Sequence, residues 1–147
     1  MKKFVLDTNI YIRAFRSRAG AEQLKEFLAA FSPNTYLSSV VLHELLVGAN
    51  TPAKAREIDD SIARPLKRIG RVITPSHAAW ETAGKAIAAM ARKEKRDMRM
   101  IPKSLINDYL LAASSREAGA IVITENTSDF ASVRKHIAVA FEGPWPG

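Results

Sequence analysis

The sequence predicts an α/β domain built on a mainly parallel central β-sheet with helices on its faces. Three observations carry this. Short apolar runs alternate with longer stretches at helical spacing, the signature of repeated strand–helix units. Ala120-Ile121-Val122-Ile123-Thr124 is apolar almost throughout, as strands covered on both faces tend to be. The length, 147 residues, is that of one ordinary domain with a real core. Residues 1–147 are therefore read as one unit, with 143–147 an irregular tail containing Pro144 and Pro146.

The first strand is Lys3–Asp7, an apolar run that stops at an acid. Thr8 or Asn9 can cap a helix running to about Phe15. Leu24, Phe27, Leu28 and Phe31 then repeat at helical spacing over Ala21–Phe31. Ser32-Pro33-Asn34 breaks the chain, and Thr35–Ser38 is a second strand. A helix starts at Ser38 or Ser39, runs through Val47 and stops at Gly48. Pro52 opens a helix to about Arg68, and Arg71–Thr74 is a third strand. Pro75-Ser76 introduces a long helix, His77 to Lys95, in which Trp80, Ala83, Ile87 and Met90 read as core. Asp97–Lys103 reads as a loop. Pro102-Lys103-Ser104 caps a helix from Leu105 to Glu117, stopped by Gly119. The apolar strand Ala120–Thr124, a short helix at Ser128–Lys135 and a last strand at Ile137–Phe141 complete the pattern.

Composition removes several function classes. No apolar run approaches the ~20 residues of a membrane span. The N-terminus meets Asp7 after three apolar residues, so it has no signal-peptide h-region. With no cysteine there is neither a disulfide framework nor a thiolate metal site, and a cytoplasmic protein is expected. The net charge of +7 favours a polyanionic partner: RNA, DNA or an acidic protein. Its cationic groups are Arg13, Arg16 and Arg18; Arg64, Lys67, Arg68 and Arg71; and Arg92, Lys93, Lys95, Arg96, Arg99 and Lys103. Each group alone can equally be a solvated helix face.

Four carboxylates are the chemistry-bearing candidates: Asp7, Glu44, Asp108 and Asp129. In open α/β sheets, ligands bind beyond the carboxyl ends of the strands. Asp7 ends the first strand, and Asp129 follows the Ile121–Thr124 strand by one turn. At about 100° per residue, Glu44 falls between Val40, Val41, Val47 and Gly48, and Asp108 among Leu105, Leu111 and Ala112. A surface acid belongs on the opposite face. Either one alone can be a stabilised core acid; together with two strand-end acids they suggest a shared site. Two carboxylates ~4 Å apart repel by about 4 kcal/mol at an effective dielectric of 20, so clustering needs compensation. Shared protons, a Lys or Arg, or a divalent cation would supply it. Oxygen-only ligands select Mg²⁺ or Mn²⁺ over zinc.

The other candidates carry less. His43, His77 and His136 lack a metal-ligand spacing. Ser114-Ser115 lacks a base partner, and no phosphate-binding glycine loop is present.

The order Asp7-Thr8-Asn9, Ser38–Ala49 around Glu44, Asn107-Asp108-Tyr109 and Ile121–Phe130 resembles the PIN-domain ribonucleases, especially the toxin components of VapBC-type toxin–antitoxin modules. The resemblance spans essentially the whole chain. It implies that Asp7, Glu44 and Asp108 are the core Mg²⁺ or Mn²⁺ ligands, with Asp129 a fourth acid. Some relatives carry an acid where this chain has Asn126, so either Asn126 or Asp129 completes the site. Thr8 and Thr124, with Asn9, would orient carboxylates or water. The implied reaction is hydrolysis of RNA phosphodiester bonds, leaving 5′-phosphate and 3′-hydroxyl ends. Arg13, Arg16 and the Arg92–Lys103 group would hold flanking backbone. The implied partners are a small VapB-like antitoxin and a second copy of the chain.

Two other readings stand beside it. A phosphatase of the haloacid-dehalogenase kind would use Asp7 as nucleophile, but that chemistry wants an acid two residues on, where Asn9 stands. A catalytically silent module would bind RNA or protein through its basic surface, and would have no need of acids at apolar positions.

Overall fold

The computed structural model describes residues 2–144. Five strands, β1 Lys3–Leu6, β2 Thr35–Ser38, β3 Val72–Ile73, β4 Ala120–Ile123 and β5 Ala140–Glu142, form one sheet in the order β3-β2-β1-β4-β5. Every neighbouring pair is parallel. The helices are α1 Thr8–Arg16, α2 Arg18–Phe31, α3 Ser39–Val47, α4 Pro52–Ile58, α5 Arg64–Arg68, α6 His77–Lys93, α7 Lys103–Ala118 and α8 Thr127–Arg134. The α/β class and the parallel sheet are as the sequence predicts.

The topology decides where a site can lie. β1 is central, and the chain leaves it for β2 on one side and returns through β4 on the other. Connections therefore diverge at the carboxyl ends of β1 and β4 and leave a crevice there. Val5, Leu6, Leu37, Val122 and Ile123 are buried, which pins the strand ends beneath that crevice. Gly20 is needed where α1 meets α2, because a Cβ there would lie 2.5 Å from the Arg13 carbonyl oxygen.

Several expectations are corrected. The helix from Pro52 to Arg68 is divided by a π turn, Asp59–Ala63, closed by the Arg64 N–H on the Asp59 carbonyl. Pro65 has no N–H to give Ser61 and its ring crowds that carbonyl, so the helix widens to pass it. Asp97–Lys103 is not simply a loop: Met98–Met100 form a 3-10 turn capped by Asp97, and Lys103 already belongs to α7. The last strand begins at Ala140, because the N–H groups of His136 and Ile137 still bond back to Val133. Trp80 is 60% exposed, not core; α6 buries Ala79, Ala83, Ala86, Ile87, Met90 and Ala91, and the indole points off that stripe. Val47 is 74% exposed, so the face of α3 carrying Glu44 is only partly covered. Glu142 lies in β5, Gly143 and Pro144 lie outside regular structure, and the rest of the expected tail, 145–147, is outside the described residues.

Candidate active site

Asp7 sits where β1 ends and α1 begins. Its backbone N–H completes the sheet on Ile123, and its carboxylate caps α1, Oδ1 accepting from the Thr8 N–H at 2.8 Å. Its other oxygen accepts from the Thr124 hydroxyl at 2.8 Å and from the Asn9 amide at 3.1 Å. Asp7 is 3% exposed. Burial, and secondarily the nearby Glu44 charge, push its carboxyl above the usual range, while the donors from Thr124, Thr8 and Asn9 pull it back.

Thr8 joins two elements. Its hydroxyl donates to Glu44 Oε1 at 2.8 Å, so one residue binds Asp7 through its backbone and Glu44 through its side chain. Thr124 does the same on the other side, donating to Asp7 and accepting from the Asn126 N–H at 2.9 Å. Asn9 spans the gap, its amide reaching Asp7 and Thr124 while its oxygen accepts from the Glu125 N–H. The expected supporting residues thus form one network around Asp7. Asn126 enters it through its backbone.

Asp108 and Asp129 line a cleft of about 300 Å³ between the end of α6, α7 and α8, together with Glu94, Arg96 and Tyr109. Burial, with the charges of Asp7, Glu44 and Asp129 acting in the same direction, pushes the Asp108 carboxyl up to about 8. Asp108 is therefore close enough to feel the charges of the other three acids. None of the four forms an ion pair among the described residues. Neither do any three acid or histidine side chains there stand close enough to make a ready-formed metal cage. Asp108 and Asp129 share this cleft, whereas Glu44 lines a separate small cavity and Asp7 is tied to Glu44 through Thr8.

The donor set fits a hard divalent cation by chemistry: carboxylate oxygens, no sulfur, and negative charge that no direct ion pair among the described residues neutralises, although Arg96 lines the cleft. Asp129 lines the cleft with Asp108 and Asn126 does not, although both residues are exposed.

A family model for the PIN domain matches residues 4–136. The chain belongs to the PIN-domain family. Solved structures agree with this PIN fold. The FitAcB structure from Neisseria gonorrhoeae is 21% identical, with a TM-score of 0.71, covering 98% of this chain and 99% of that one. The DNA-bound VapBC structure from Salmonella typhimurium is 23% identical, with a TM-score of 0.68 over 97% and 98%. VapBC-1 from nontypeable Haemophilus influenzae is 23% identical, with a TM-score of 0.65 over 95% and 96%. A comparison with curated proteins finds no match.

Among the cationic residues, Arg13 is not free: its guanidinium pairs with Glu125 at 2.8 Å on the rim of the site. Arg16 lines a small cavity with Glu44 and Lys54. Arg99 is held in a fork on Asp97. Arg92, Lys93, Lys95 and Lys103 are exposed and do not line the cleft, whereas Arg96 does. The Arg13–Glu125 pair and the cleft position of Tyr109 went unread in the sequence. Adjacency of Tyr109 to Asp108 on a helix was the available signal.

Proposed function

We propose that the protein is a Mg²⁺- or Mn²⁺-dependent endoribonuclease, the toxin of a VapBC-type pair, acting in the cytoplasm. The observation that carries this is the gathering of carboxylates: Thr8 ties Glu44 to Asp7, and Asp108, raised by burial and by the charges of Asp7, Glu44 and Asp129, lines a cleft with Asp129. Such an arrangement is costly unless it is used. Asp7, Glu44 and Asp108 would hold the ion, with Asp129 completing the set. When bound, the ion would polarise the scissile phosphate and make water a competent nucleophile near neutral pH.

The chain's own residues do the positioning. Thr124 and Asn9 hold the Asp7 carboxylate in one orientation, and Thr8 ties Glu44 to the same point. The burial of Asp7 beneath the crevice keeps competing water from its inner oxygen. In the phosphatase reading Asn9 would have to deliver a proton, and its amide, which donates to Asp7, is not an acid. The basic balance of +7 supports an RNA backbone as substrate. The likeness to the VapBC and FitAcB structures supports a small antitoxin as partner, and the family resemblance implies a homodimer. Exposed Val47, Trp80 and Met100 offer apolar surface for such contacts. No helix among the described residues is long and apolar enough to cross a membrane.

The test is cleavage of a mixed-sequence RNA in Mg²⁺, in Mn²⁺ and in EDTA, with Asp108→Asn alongside. Metal-dependent cutting that leaves 5′-phosphate ends and is lost in the variant is expected. Equal cutting in EDTA, or equal cutting by the variant, overturns the proposal.

A further inference from the structure

The cleft beside Asp108 contains one cation, and the way the chain delivers it is unusual. Helix α6 ends in a Schellman motif: the Arg96 N–H bonds the Ala91 carbonyl at 2.9 Å and the Lys95 N–H bonds the Arg92 carbonyl at 3.3 Å. The residue between cap and reversal must take a left-handed conformation, normally given to glycine. Here it is Lys95, at φ 53°, the single non-glycine residue with positive φ among those described. A side chain in that region costs of order 1–2 kcal/mol. Strain of this kind tends to be kept where geometry serves a site.

What the reversal accomplishes is to turn Arg96 back toward α7. Its side chain lies against the Met90 sulfur and lines the cleft with Asp108, Tyr109 and Asp129. Its nearest acid is Glu94, at a loose 3.9 Å. The side chain is 37% exposed, and its Nη1 makes only long contacts, to Glu94 and the Met90 sulfur, so the guanidinium remains available to a ligand in the cleft. Its neighbours differ: Arg99 is chelated by Asp97, and Arg92, Lys93, Lys95 and Lys103 face solvent. A lone guanidinium across a cleft from a group of carboxylates suits a ligand whose charge is negative on both sides of the reacting centre. The acids would take one phosphate through the ion, and the arginine the next.

We propose that Arg96, aimed by the left-handed turn at the end of α6, grips the phosphate of the nucleotide adjacent to the bond being cut. This rests on the ribonuclease reading, whose failure the following test separates. A fluorescein-labelled, mixed-sequence single-stranded oligoribonucleotide serves as probe. Binding is measured by anisotropy in EDTA across a KCl series, and cleavage in Mg²⁺, for wild type, Arg96→Gln, Arg96→Lys and Lys85→Gln. The last removes the same unit charge from the exposed face of α6.

Arg96→Gln should weaken binding about tenfold and flatten the log–log salt slope by about 0.7, the single-strand value for one phosphate contact. It should raise KM more than it lowers kcat. Arg96→Lys should restore part of the loss, since an ammonium holds a phosphate without the bidentate fork. Lys85→Gln should change neither slope nor KM. An unchanged slope in Arg96→Gln, an equal drop in Lys85→Gln, or a wild type that binds no RNA overturns the proposal. A wild type that binds through Arg96 but cuts nothing overturns the nuclease reading, and with it the placement beside a scissile bond, while Arg96 still holds an RNA phosphate. Cleavage that survives Arg96→Gln with unaltered KM does the reverse.

Discussion

Asp108 should make the metal-free protein less stable as pH rises. Its carboxyl is displaced from 3.8 to about 8, so between those values the native state holds a proton that the unfolded chain releases. Where the native state binds more protons, stability falls with increasing pH; the penalty begins near the unfolded value and is complete above the folded one. About four pH units at ~1.36 kcal/mol each set a ceiling of ~6 kcal/mol. Asp108 is coupled to the neighbouring Asp7 carboxyl, which is raised as well, so about half the ceiling, ~3 kcal/mol, is expected for Asp108 itself. Burial and the Asp7, Glu44 and Asp129 charges are the cause, so Asp108→Asn should remove most of the slope. The assay is urea unfolding in EDTA at pH values from about 5 to about 8.5, wild type against Asp108→Asn. The two curves should diverge as pH rises, with the variant the more stable at the alkaline end. Parallel curves would show that Asp108 does not sit among uncompensated acids, and the site as described would fall with them.

Three further outcomes follow from the same geometry. Thr124→Val removes the hydroxyl shared by Asp7 and the Asn126 N–H, leaving buried polar groups unpaired, and should destabilise by about 2–3 kcal/mol in urea unfolding. Gly20→Ala drives a methyl into the Arg13 backbone; a loss of about 1–3 kcal/mol, read as a lowered Tm, is expected. Lys95→Gly relieves the left-handed strain at the end of α6 and should raise stability by up to about 1 kcal/mol in the same measurement.

Much of the site was legible because its acids break local rules. Asp7 ends an apolar run at a strand terminus, and Asp108 stands among leucines on α7. Both are positions where a carboxylate needs a reason, and the sheet order brings their elements to one crevice. Glu44 was found by a weaker argument. Val47 marks its face as apolar in sequence, yet Val47 is exposed, so periodicity overstated how far Glu44 is buried. Trp80 failed in the same way: a bulky apolar residue near a stripe of alanines reads as part of it, while the alanines alone pack the helix.

What stayed illegible depends on backbone reversals that residue type does not announce. No propensity rule places a lysine in a left-handed cap, so the Lys95 turn, and with it the difference between Arg96 and its charged neighbours, could not be read from a run of cations. The π turn before Pro65 is similar. Proline predicts a break, but the wide turn that preserves the helix direction depends on Asp59 and Arg64 meeting across five residues.

The central claim is that Asp7, Glu44 and Asp108 act as one divalent-metal centre. Its most direct test is an electron paramagnetic resonance titration of Mn²⁺ into wild type, Asp7→Asn, Glu44→Gln and Asp108→Asn near pH 8, where Asp108 is about half ionised and an incoming ion displaces the remaining proton. Wild type should take up Mn²⁺ from the free signal, and each substitution should weaken that uptake at least tenfold while the far-UV circular dichroism stays unchanged. Uptake equal to wild type in all of the folded variants would contradict the claim.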